Sequence, residues 1–446
     1  MPHDFIMSAN RPYYNILRST CQANGRSKRD FSPFCSANFF TKGAQNGIID
    51  YEWYFGVSYT LPFELIDCEV SFLIYLDNAA TTRPSAAAIR AANEAMEQVY
   101  YNPSSLHMGG LEAEKLLRTA RRQVADALGA SSDEILFTSG GTEGDNLVLH
   151  TALAARARHI IVSAMEHDAI LAPTKALEAA GVAVSYAMPN SQGIVTPEEI
   201  ASHLRPETGL VSLMLVNNET GSIQPIREVA AMLKRKKSKV LFHTDAVQGF
   251  LKTEFIPARM GVDLATVSAH KIHGIKGAGA LWHKKEVRIR PMILGGGQEK
   301  GIRSGTEAMP ALAAFGAACE EGKREFTTRL AHVQELHEYG IDLLSAIPEV
   351  EILPFANQSP YLIALSLPGY KSEVCLHALE TYGICVSSGA ACAKGKISHV
   401  LSAVGIDHRH ADAYLRISLS HENTKEEICA LAEALKAVLP TLLRIE

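Results

Sequence analysis

Short apolar runs alternate with stretches of helical periodicity through the middle of the chain. Each run is five to seven residues long, as expected for buried strands, and glycine or polar residues follow it. Strands that alternate with amphipathic helices predict an α/β fold with a mostly parallel sheet. The predicted strands are Glu134–Thr138, His159–Ser163, Leu210–Val216, Val240–Thr244 and Val262–Val267.

Two helices are predicted with defined ends. The first covers 113–128, where apolar residues recur at helical spacing and Gly129 provides the stop. The pattern places Arg118, Arg121 and Arg122 on the solvent-exposed face of this helix. The second begins at a capping box formed by Thr424 and Glu427. It directs four residues toward a core: Ile428, Leu431, Leu435 and Val438.

Composition narrows the class of protein. The 446 residues are enough for two domains, and the net charge of −5 predicts no direct nucleic-acid partner. No apolar stretch is long enough to span a membrane, so no membrane association is expected. The eight cysteines lack C-x-x-C spacing and are sparse for a secreted protein. We therefore expect reduced thiols, a cytoplasmic location and no metal site.

Lys271 is the most informative residue for chemistry. It follows the apolar run 262–267 and precedes a glycine-bearing segment, 274–279. A lysine confined at a strand exit can have a lowered pKa and form a covalent link to an aldehyde cofactor. An ordinary surface lysine beside a turn is the alternative for a lone residue.

A glycine turn follows the strand 134–138. Its residues 139–146 join that strand to an apolar helical stretch. Glycines let backbone N–H groups approach an anion closely, and the helix N-terminus adds a favourable dipole. Thr142 can add a hydroxyl donor. A phosphate cradle is the hypothesis, although such turns also serve as plain connections.

Polar residues at the other strand ends complete the pattern. Asp245 can pair with a protonated pyridine nitrogen, and Gln248 can hydrogen-bond a phenolic oxygen on the same ring. His167 can stack on such a ring and move protons. The amides of 217–218 can reach the cofactor or its substrate. Taken singly, each of these has a structural alternative. Asp245 would be a helix cap and 217–221 a turn. A lone histidine such as His167 is more often a structural residue.

These segments together resemble cysteine desulfurases of the class V aminotransferase family, the bacterial kind that supplies sulfur for iron–sulfur cluster assembly and tRNA thiolation. The likeness begins near Ile74 and continues to the C-terminus in the family's order. It is carried by residues 75–82, 101–105, 137–143, 166–167, 216–219, 244–248, 268–271, 295–299, 303–306, 387–392 and 416–419.

The resemblance implies pyridoxal 5′-phosphate as cofactor and the fold type I architecture of such enzymes. Lys271 would carry the cofactor, His167 would stack on the ring and Asp245 would face its nitrogen. The remaining contacts are implied at Gly141, Thr142, Ser268 and His270 for the phosphate, Asn218 and Gln248 for the ring oxygen, and Thr306 for the phosphate of a neighbouring subunit. The last of these implies a homodimer.

Cys392 decides the chemistry. Its surroundings, 387–396, are small and polar, and Lys394 and Lys396 favour the thiolate. A buried structural thiol is the alternative, and that description suits Cys385 better. The resemblance implies that Cys392 accepts sulfur from L-cysteine as a persulfide and that L-alanine is released. Lys271 and His167 would transfer protons. Arg416, with help from Asn78, would bind the substrate carboxylate.

The same resemblance places a large cofactor domain at 84–318. A small domain with the cysteine loop combines 73–83 and 319–446. Residues 1–72 precede the likeness and show no clean periodicity, so we expect an extension with little order. Their scattered arginines also allow a transit peptide, although the acidic residues weaken that idea.

Two departures from the family's commonest pattern lie near the nucleophile. Ala390 stands where serine is frequent, which removes a hydroxyl group. The stretch after Cys392 is shorter than in long-loop members, which shortens the reach of Cys392. The identity of the acceptor, an iron–sulfur scaffold or a tRNA-modifying sulfurtransferase, therefore stays open. A selenocysteine lyase, an aminotransferase and a silent scaffold protein are the alternatives.

Overall fold

The computed structural model describes residues 41–45, 48–52, 58–62, 73–155, 157–236, 238–388 and 398–444. The chain divides into two units, Met1–Ser71 and Phe72–Glu446. In the first, strands β1 (Thr41–Gln45), β2 (Ile48–Glu52) and β3 (Ser58–Pro62) form an antiparallel sheet in that order. The sequence predicted little order for 1–72. Its description as an extension stays a prediction.

A seven-stranded sheet dominates the second unit. Its strands are β5 (Ile135–Thr138), β6 (His159–Ser163), β7 (Ala183–Ala187), β8 (Thr208–Ser212), β9 (Leu241–Asp245), β10 (Leu264–Ser268) and β11 (Gly279–His283). Their order in the sheet is β5-β11-β10-β9-β8-β6-β7, and β11 alone runs antiparallel to its neighbours. The predicted α/β fold with a mostly parallel sheet is therefore confirmed.

Burial explains why these strands have such apolar sequences. Every residue of β5, β6 and β10 is buried, because helices cover both faces of a parallel sheet. The predicted strand 210–216 is displaced, since β8 ends at Ser212. The backbone beyond it still follows β9: Leu213 and Leu215 donate to the carbonyls of His243 and Asp245 at 3.1 and 2.8 Å.

The helix predicted at 113–128 covers Met108–Leu128. It begins earlier because the His107 side chain accepts a hydrogen bond from Gly110 N. Gly129 ends it at φ 62°, a left-handed conformation that glycine adopts readily. Arg121 is not fully solvent-exposed, contrary to the prediction. Its guanidinium lies 4.5 Å from the Phe137 ring centroid and donates to Glu299 at 2.8 Å.

The other helices of the second unit flank the sheets. They are Ala86–Glu97, Gly141–Ala154, Asp168–Ala179, Pro197–His203, Ile226–Arg235, Pro257–Met260, Met309–Ser345, Ser372–Glu380, His399–Ala403, His408–Asp412 and Lys425–Val438. The capping box of the last helix is confirmed, and its four predicted core residues are buried. No helix in the described part of the chain is long and apolar enough to cross a membrane.

Two smaller sheets complete the second unit. Strand β4 (Ile74–Tyr75) pairs with β14 (Ile384–Cys385), and β13 (Leu362–Ser366) lies between β12 (Glu351–Ile352) and β15 (Tyr414–Ser418). The helix Met309–Ser345 crosses the predicted boundary at 318/319 without a break. Phe315 packs in the core of the large sheet, whereas Leu336 packs with β13 and β15. The domain boundaries stay a prediction.

Candidate active site

Lys271 lies at the end of a short turn that follows β10. The turn is a 3₁₀ helix, Ala269–Lys271, and it directs the lysine back toward the loop after β4. The Nζ atom donates to the carbonyls of Ala79 and Ala80 at 2.6 and 2.8 Å. Burial, and then the charge of Arg416, lowers its pKa to about 8. The amine is therefore held in place and more readily deprotonated than an exposed lysine.

The glycine turn lies beside Ser268 because of the strand register. Gly279 of β11 pairs with Thr138 on one side and with Ser268 on the other. The helix Gly141–Ala154 starts there, and its N-cap residue provides no side-chain hydrogen bond. Its first N–H groups therefore keep their capacity to bind an anion. The buried Ser268 hydroxyl also has no hydrogen-bond partner among the described residues.

Close packing fixes the residue type at 141. A Cβ atom there would lie 2.9 Å from the Cγ2 atom of Val247. Only glycine fits without movement of that side chain. Since Val247 is two residues after Asp245, this contact holds the glycine turn against the end of β9.

His270 is the remaining predicted phosphate contact. Its Nδ1 atom lies 3.1 Å from the hydroxyl of Thr81, in the loop that also holds Lys271. Burial, followed by the charge of Lys271, lowers its pKa to about 4. The ring is therefore neutral near pH 7 and can offer one N–H to an anion.

Asp245 ends β9, and Gln248 follows in the next turn. Oδ1 of Asp245 accepts from Val247 N at 2.8 Å, so the carboxylate also shapes the turn. Burial raises its pKa, and the charges of His167 and Lys271 oppose that rise. Gln248 donates to Ala79 O at 2.8 Å, while its Oε1 atom has no partner among the described residues.

His167 caps the helix Asp168–Ala179 and is exposed. Its Nδ1 atom accepts from Ala169 N at 3.1 Å. The predicted stacking role of His167 stays a prediction.

Asn217 forms the predicted turn. Its buried side chain accepts hydrogen bonds from the N–H groups of Glu219 and Thr220 at 2.9 and 2.8 Å.

Arg416, in the middle of β15, is almost fully buried. Its Nη1 atom donates to Asn218 O at 2.9 Å, and Nη2 donates to Asp77 at 2.7 Å. The Nε atom has no partner among the described residues. Asn78 is buried beside this strand, and its Nδ2 atom donates to Ser418 O at 3.0 Å. The amide group of Asn78 thus also holds the loop, a function that the sequence did not reveal.

Thr306 is exposed, in the segment that follows Arg303. Arg303 forms an ion pair with Glu143, in the first turn of the helix Gly141–Ala154, at 2.9 Å. This pair fixes the start of the segment beside the glycine turn of the same chain. The predicted reach of Thr306 into a neighbouring subunit is not tested by a single chain and stays a prediction.

Cys392 lies outside the described residues, as do Ala390, Lys394 and Lys396. The described residues on either side of this stretch contact the site. Ser387 and Arg416 exchange backbone hydrogen bonds of 3.2 and 2.7 Å. On the other side, His399 bonds to the carbonyl of Glu166, the residue before His167, at 3.0 Å.

Buried acidic groups behind Asp245 are a feature that the sequence did not reveal. Asp145 and Glu166 are fully buried, and the pKa of each is raised by burial and by the charge of Asp245. His243 contacts Asp145 at 3.6 Å, and burial lowers the pKa of this histidine to about 3. The carboxyl groups of Asp145 and Glu166 therefore favour their protonated form. The signal of this buried cluster in the sequence was His243, a polar residue inside a buried strand.

Comparison with known proteins identifies the family. The class V aminotransferase model matches residues 74–431. The chain belongs to the class V aminotransferase family. A cysteine desulfurase of Nostoc sp. is 38% identical over 376 residues, which is 83% of this chain and 94% of the relative.

Solved structures agree with this assignment. A NifS-like protein has a TM-score of 0.78 and 37% identity, over 82% of this chain and 99% of that one. SspA in complex with cysteine has a TM-score of 0.70 and 29% identity, over 78% and 99% of the two chains. The resemblance to cysteine desulfurases that the motifs predicted is confirmed.

The site fits pyridoxal phosphate, the cofactor of this family. Three buried polar atoms without a partner among the described residues belong to residues of the predicted site: Ser268 Oγ, Gln248 Oε1 and Arg416 Nε. Such atoms are costly when they stay unpaired, so they indicate where a polar ligand binds. Lys271, whose amine lies in the same site, would supply the attachment for the aldehyde.

Proposed function

We propose that this chain is a cysteine desulfurase that removes sulfur from L-cysteine and keeps it as a persulfide on Cys392. The observation that carries the proposal is the convergence of Lys271, Asp245 and Arg416. Lys271 and Gln248 share Ala79 O as acceptor, and Arg416 pairs with Asp77 in the same loop. The charges of Asp245 and Arg416 both act on the Lys271 amine, so the three side chains lie close together. They would serve as ring-nitrogen partner, carboxylate-binding group and cofactor-attaching amine.

Pyridoxal phosphate, when bound, supplies a ring that withdraws electrons from the Cα atom of the amino acid. We assign its phosphate to Gly141, Thr142, Ser268 and His270. The N–H groups of the first helical turn and the unpaired hydroxyl of Ser268 support this assignment. Asp245 would face the ring nitrogen, and His167 would stack on the ring. Asn218 and Gln248 would meet its oxygen.

Arg416 would bind the carboxylate of L-cysteine. The Nη1 and Nη2 atoms each have one bond already, which fixes the plane of the guanidinium before substrate arrives. The unpaired Nε atom and the remaining Nη protons can then form the paired hydrogen bonds that arginine makes with carboxylates. Asn78 would assist from the adjacent loop. The complex of SspA with cysteine supports an amino-acid substrate of this class.

Lys271 would move the proton at Cα. Its pKa of about 8 lets the amine accept a proton near neutral pH and return it, which a lysine at its usual pKa does poorly. The carbonyls of Ala79 and Ala80 hold the amine in position. His167 would assist the proton transfers from the exposed side of the site.

Cys392 would act as the nucleophile toward sulfur. Its thiolate forms an S–S bond with the substrate sulfur, and the C–S bond breaks. The electron pair of that bond stays with the carbon fragment, which takes up a proton and leaves as alanine. Cys392 is five positions after Ser387, and five residues span at most about 18 Å. Because Ser387 pairs with Arg416, a substrate bound at that arginine would lie within the reach of this segment.

We further propose an iron–sulfur scaffold or a tRNA-modifying sulfurtransferase as acceptor, and a cytoplasmic homodimer as the working form. Large apolar side chains are exposed near the motif 101–105 and the glycine run 295–297, as expected for an interface between copies. They are Tyr100, Leu106, Met108 and Leu294. The cysteines of the described residues are free thiols, which supports a reducing compartment.

The decisive experiment measures alanine and sulfide released from L-cysteine in the presence of a thiol reductant. Cys392→Ala should retain the bound cofactor but lose sulfide release. Cys385→Ala is the matched control, because Cys385 lies in β14 and has no part in the proposed chemistry. Normal sulfide release by Cys392→Ala, or an equal loss in Cys385→Ala, would contradict the proposed nucleophile.

A further inference from the structure

Three potential metal ligands outside the proposed machinery lie together in the fold. His273, His421 and Glu422 each offer one ligand atom, and these atoms lie within 4.8 Å of one another. His273 follows the lysine turn, whereas His421 and Glu422 follow β15. The cluster therefore joins the segment that bears Lys271 to the one that bears Arg416.

His273 is oriented as metal-binding histidines usually are. Its Nδ1 atom lies 2.9 Å from Arg83 O. A carbonyl can only accept, so Nδ1 carries the proton and the lone pair is at Nε2. A backbone carbonyl behind the ring is the usual support for a metal ligand. The residue also has a φ of 66°, which is unusual for a residue other than glycine.

The backbone of His273 is tied down on both sides. Its N–H donates to Thr82 Oγ1 at 2.8 Å, and its carbonyl accepts from Ser85 N at 2.8 Å. These bonds keep the left-handed backbone and the ring in one orientation. Because the ring is already held in one orientation, less conformational entropy is lost when it binds a ligand.

His421 and Glu422 have capacity for a ligand. The rings of His421 and His273 meet at a centroid distance of 4.5 Å and an angle of 70°. Within the described part of the chain, no group hydrogen-bonds to the His421 ring or to the Glu422 carboxylate. Neither group therefore has to give up such a hydrogen bond to bind a metal ion.

Cationic side chains near the cluster oppose a metal ion, and one of them, Arg329, is paired with acidic residues. Arg329 lies 2.8 Å from Glu325 and 3.4 Å from Glu321. Burial lowers the pKa of Lys252 to about 7, so this amine can lose its proton when a cation binds nearby. Arg83 is a further cation, and its charge acts on Glu422.

Although the sequence predicted no metal site, we propose that His273, His421 and Glu422 bind one divalent transition-metal ion. Two imidazole nitrogens and one carboxylate oxygen suit zinc, with water in the remaining position. The ion ties the turn after Lys271 to the loop after β15. Its role is to hold the substrate-binding arginine at a fixed distance from the lysine, separately from the proposed sulfur chemistry.

Zinc itself is the probe. The parent protein is the Cys392→Ser holoenzyme, so that the proposed nucleophile cannot contribute a thiolate. Equilibrium dialysis against buffered free zinc, with metal counted by mass spectrometry, measures occupancy in the parent and in the same protein carrying His421→Ala. The remaining thiols are common to both, so their contribution cancels in the difference.

We expect the parent to bind one zinc ion per chain more than the His421→Ala protein, and zinc affinity at this site to fall by about 100-fold or more. Glu422→Gln, which keeps the side-chain size, should also weaken binding. His377→Ala is the matched control, because His377 forms an exposed pair with Glu380 at 2.9 Å. Cofactor absorbance verifies folding of each variant. Zinc occupancy that is equal in the parent and in both site variants would overturn the proposal.

Discussion

Arg416 and Asp77 form an ion pair in which Nη2 lies 2.7 Å from Oδ1, with the arginine 5% exposed. The pair connects β15 to the loop after β4, the same loop whose carbonyls hold Lys271. Breaking a buried pair costs about 3–5 kcal/mol, since one charge is left uncompensated. The guanidinium is therefore a fixed part of the fold and also the proposed site for the substrate carboxylate.

Arg416→Lys should raise the KM for L-cysteine by about tenfold or more. A lysine ammonium lacks the planar fork that bonds Asn218 O and Asp77 while keeping donors for a carboxylate. Initial rates of alanine formation measure the effect. Arg118→Lys is the control, because Arg118 is exposed and its partner Glu114 lies 3.4 Å away. A KM unchanged by Arg416→Lys would remove Arg416 from substrate binding.

Lys271 should attach the cofactor at lower pH than an ordinary lysine does. The unprotonated amine is the nucleophile, and the folded-state pKa is about 8 against an ordinary 10.5. The attachment rate to the cofactor-free protein should therefore rise with pH and level off above about 8. Stopped-flow absorbance of reconstitution measures this profile, with Nα-acetyl-lysine as the reference amine. A profile that keeps rising to pH 10 would show that the amine is not perturbed.

The sequence predicted that several polar residues of the candidate site lie at strand ends. Lys271, Asp245 and Ser268 each end or closely follow a strand, and polar residues at the ends of neighbouring strands meet at one edge of the sheet. The helix 113–128 was also predictable, because the apolar period and Gly129 agree. At these positions the local sequence pattern and the observed fold agree on where a strand or helix ends.

Contacts between distant segments were not predictable in this way. Asp77 and Arg416 are far apart along the chain, and neither periodicity nor turn chemistry indicates that they pair. The contact of Arg121 with Glu299 is similar, since helical spacing alone placed this arginine in water. Such contacts depend on loop paths, which the apolar pattern does not specify.

Ser268→Ala should weaken cofactor retention without weakening the cofactor-free protein. The hydroxyl is buried and unpaired among the described residues, so its removal breaks no internal hydrogen bond. A hydrogen bond to a charged group contributes about 1.5–3 kcal/mol, which corresponds to an increase of about tenfold or more in the Kd for pyridoxal phosphate. Fluorescence titration measures the Kd. Ser139→Ala, at an exposed position in the same turn, is the control.

Retention equal to that of the unmodified protein would show that Ser268 does not touch the phosphate. A loss of thermal stability in the cofactor-free Ser268→Ala protein would instead indicate a structural role. The two readouts separate these cases because they are measured on different states of the same variant.

The free energy of unfolding of Asp145→Asn, relative to that of wild type, should increase as pH rises from 5 to 8. Burial and the charge of Asp245 raise the pKa of Asp145, so the folded state keeps a proton that the unfolded chain loses above pH 3.8. Folding then becomes less favourable with rising pH, by up to about 1.4 kcal/mol per pH unit. Asparagine cannot titrate, so the variant lacks this slope.

Urea unfolding of both proteins at pH 5 and pH 8, at one protein concentration, measures the difference. Asp126→Asn on the exposed face of the helix Met108–Leu128 is the control and should show no pH-dependent gain. Parallel pH profiles for Asp145→Asn and wild type would mean that Asp145 is ionised in the folded state. The buried acids behind Asp245 would then carry negative charge, which would favour the protonated form of the cofactor's ring nitrogen more strongly than Asp245 does alone.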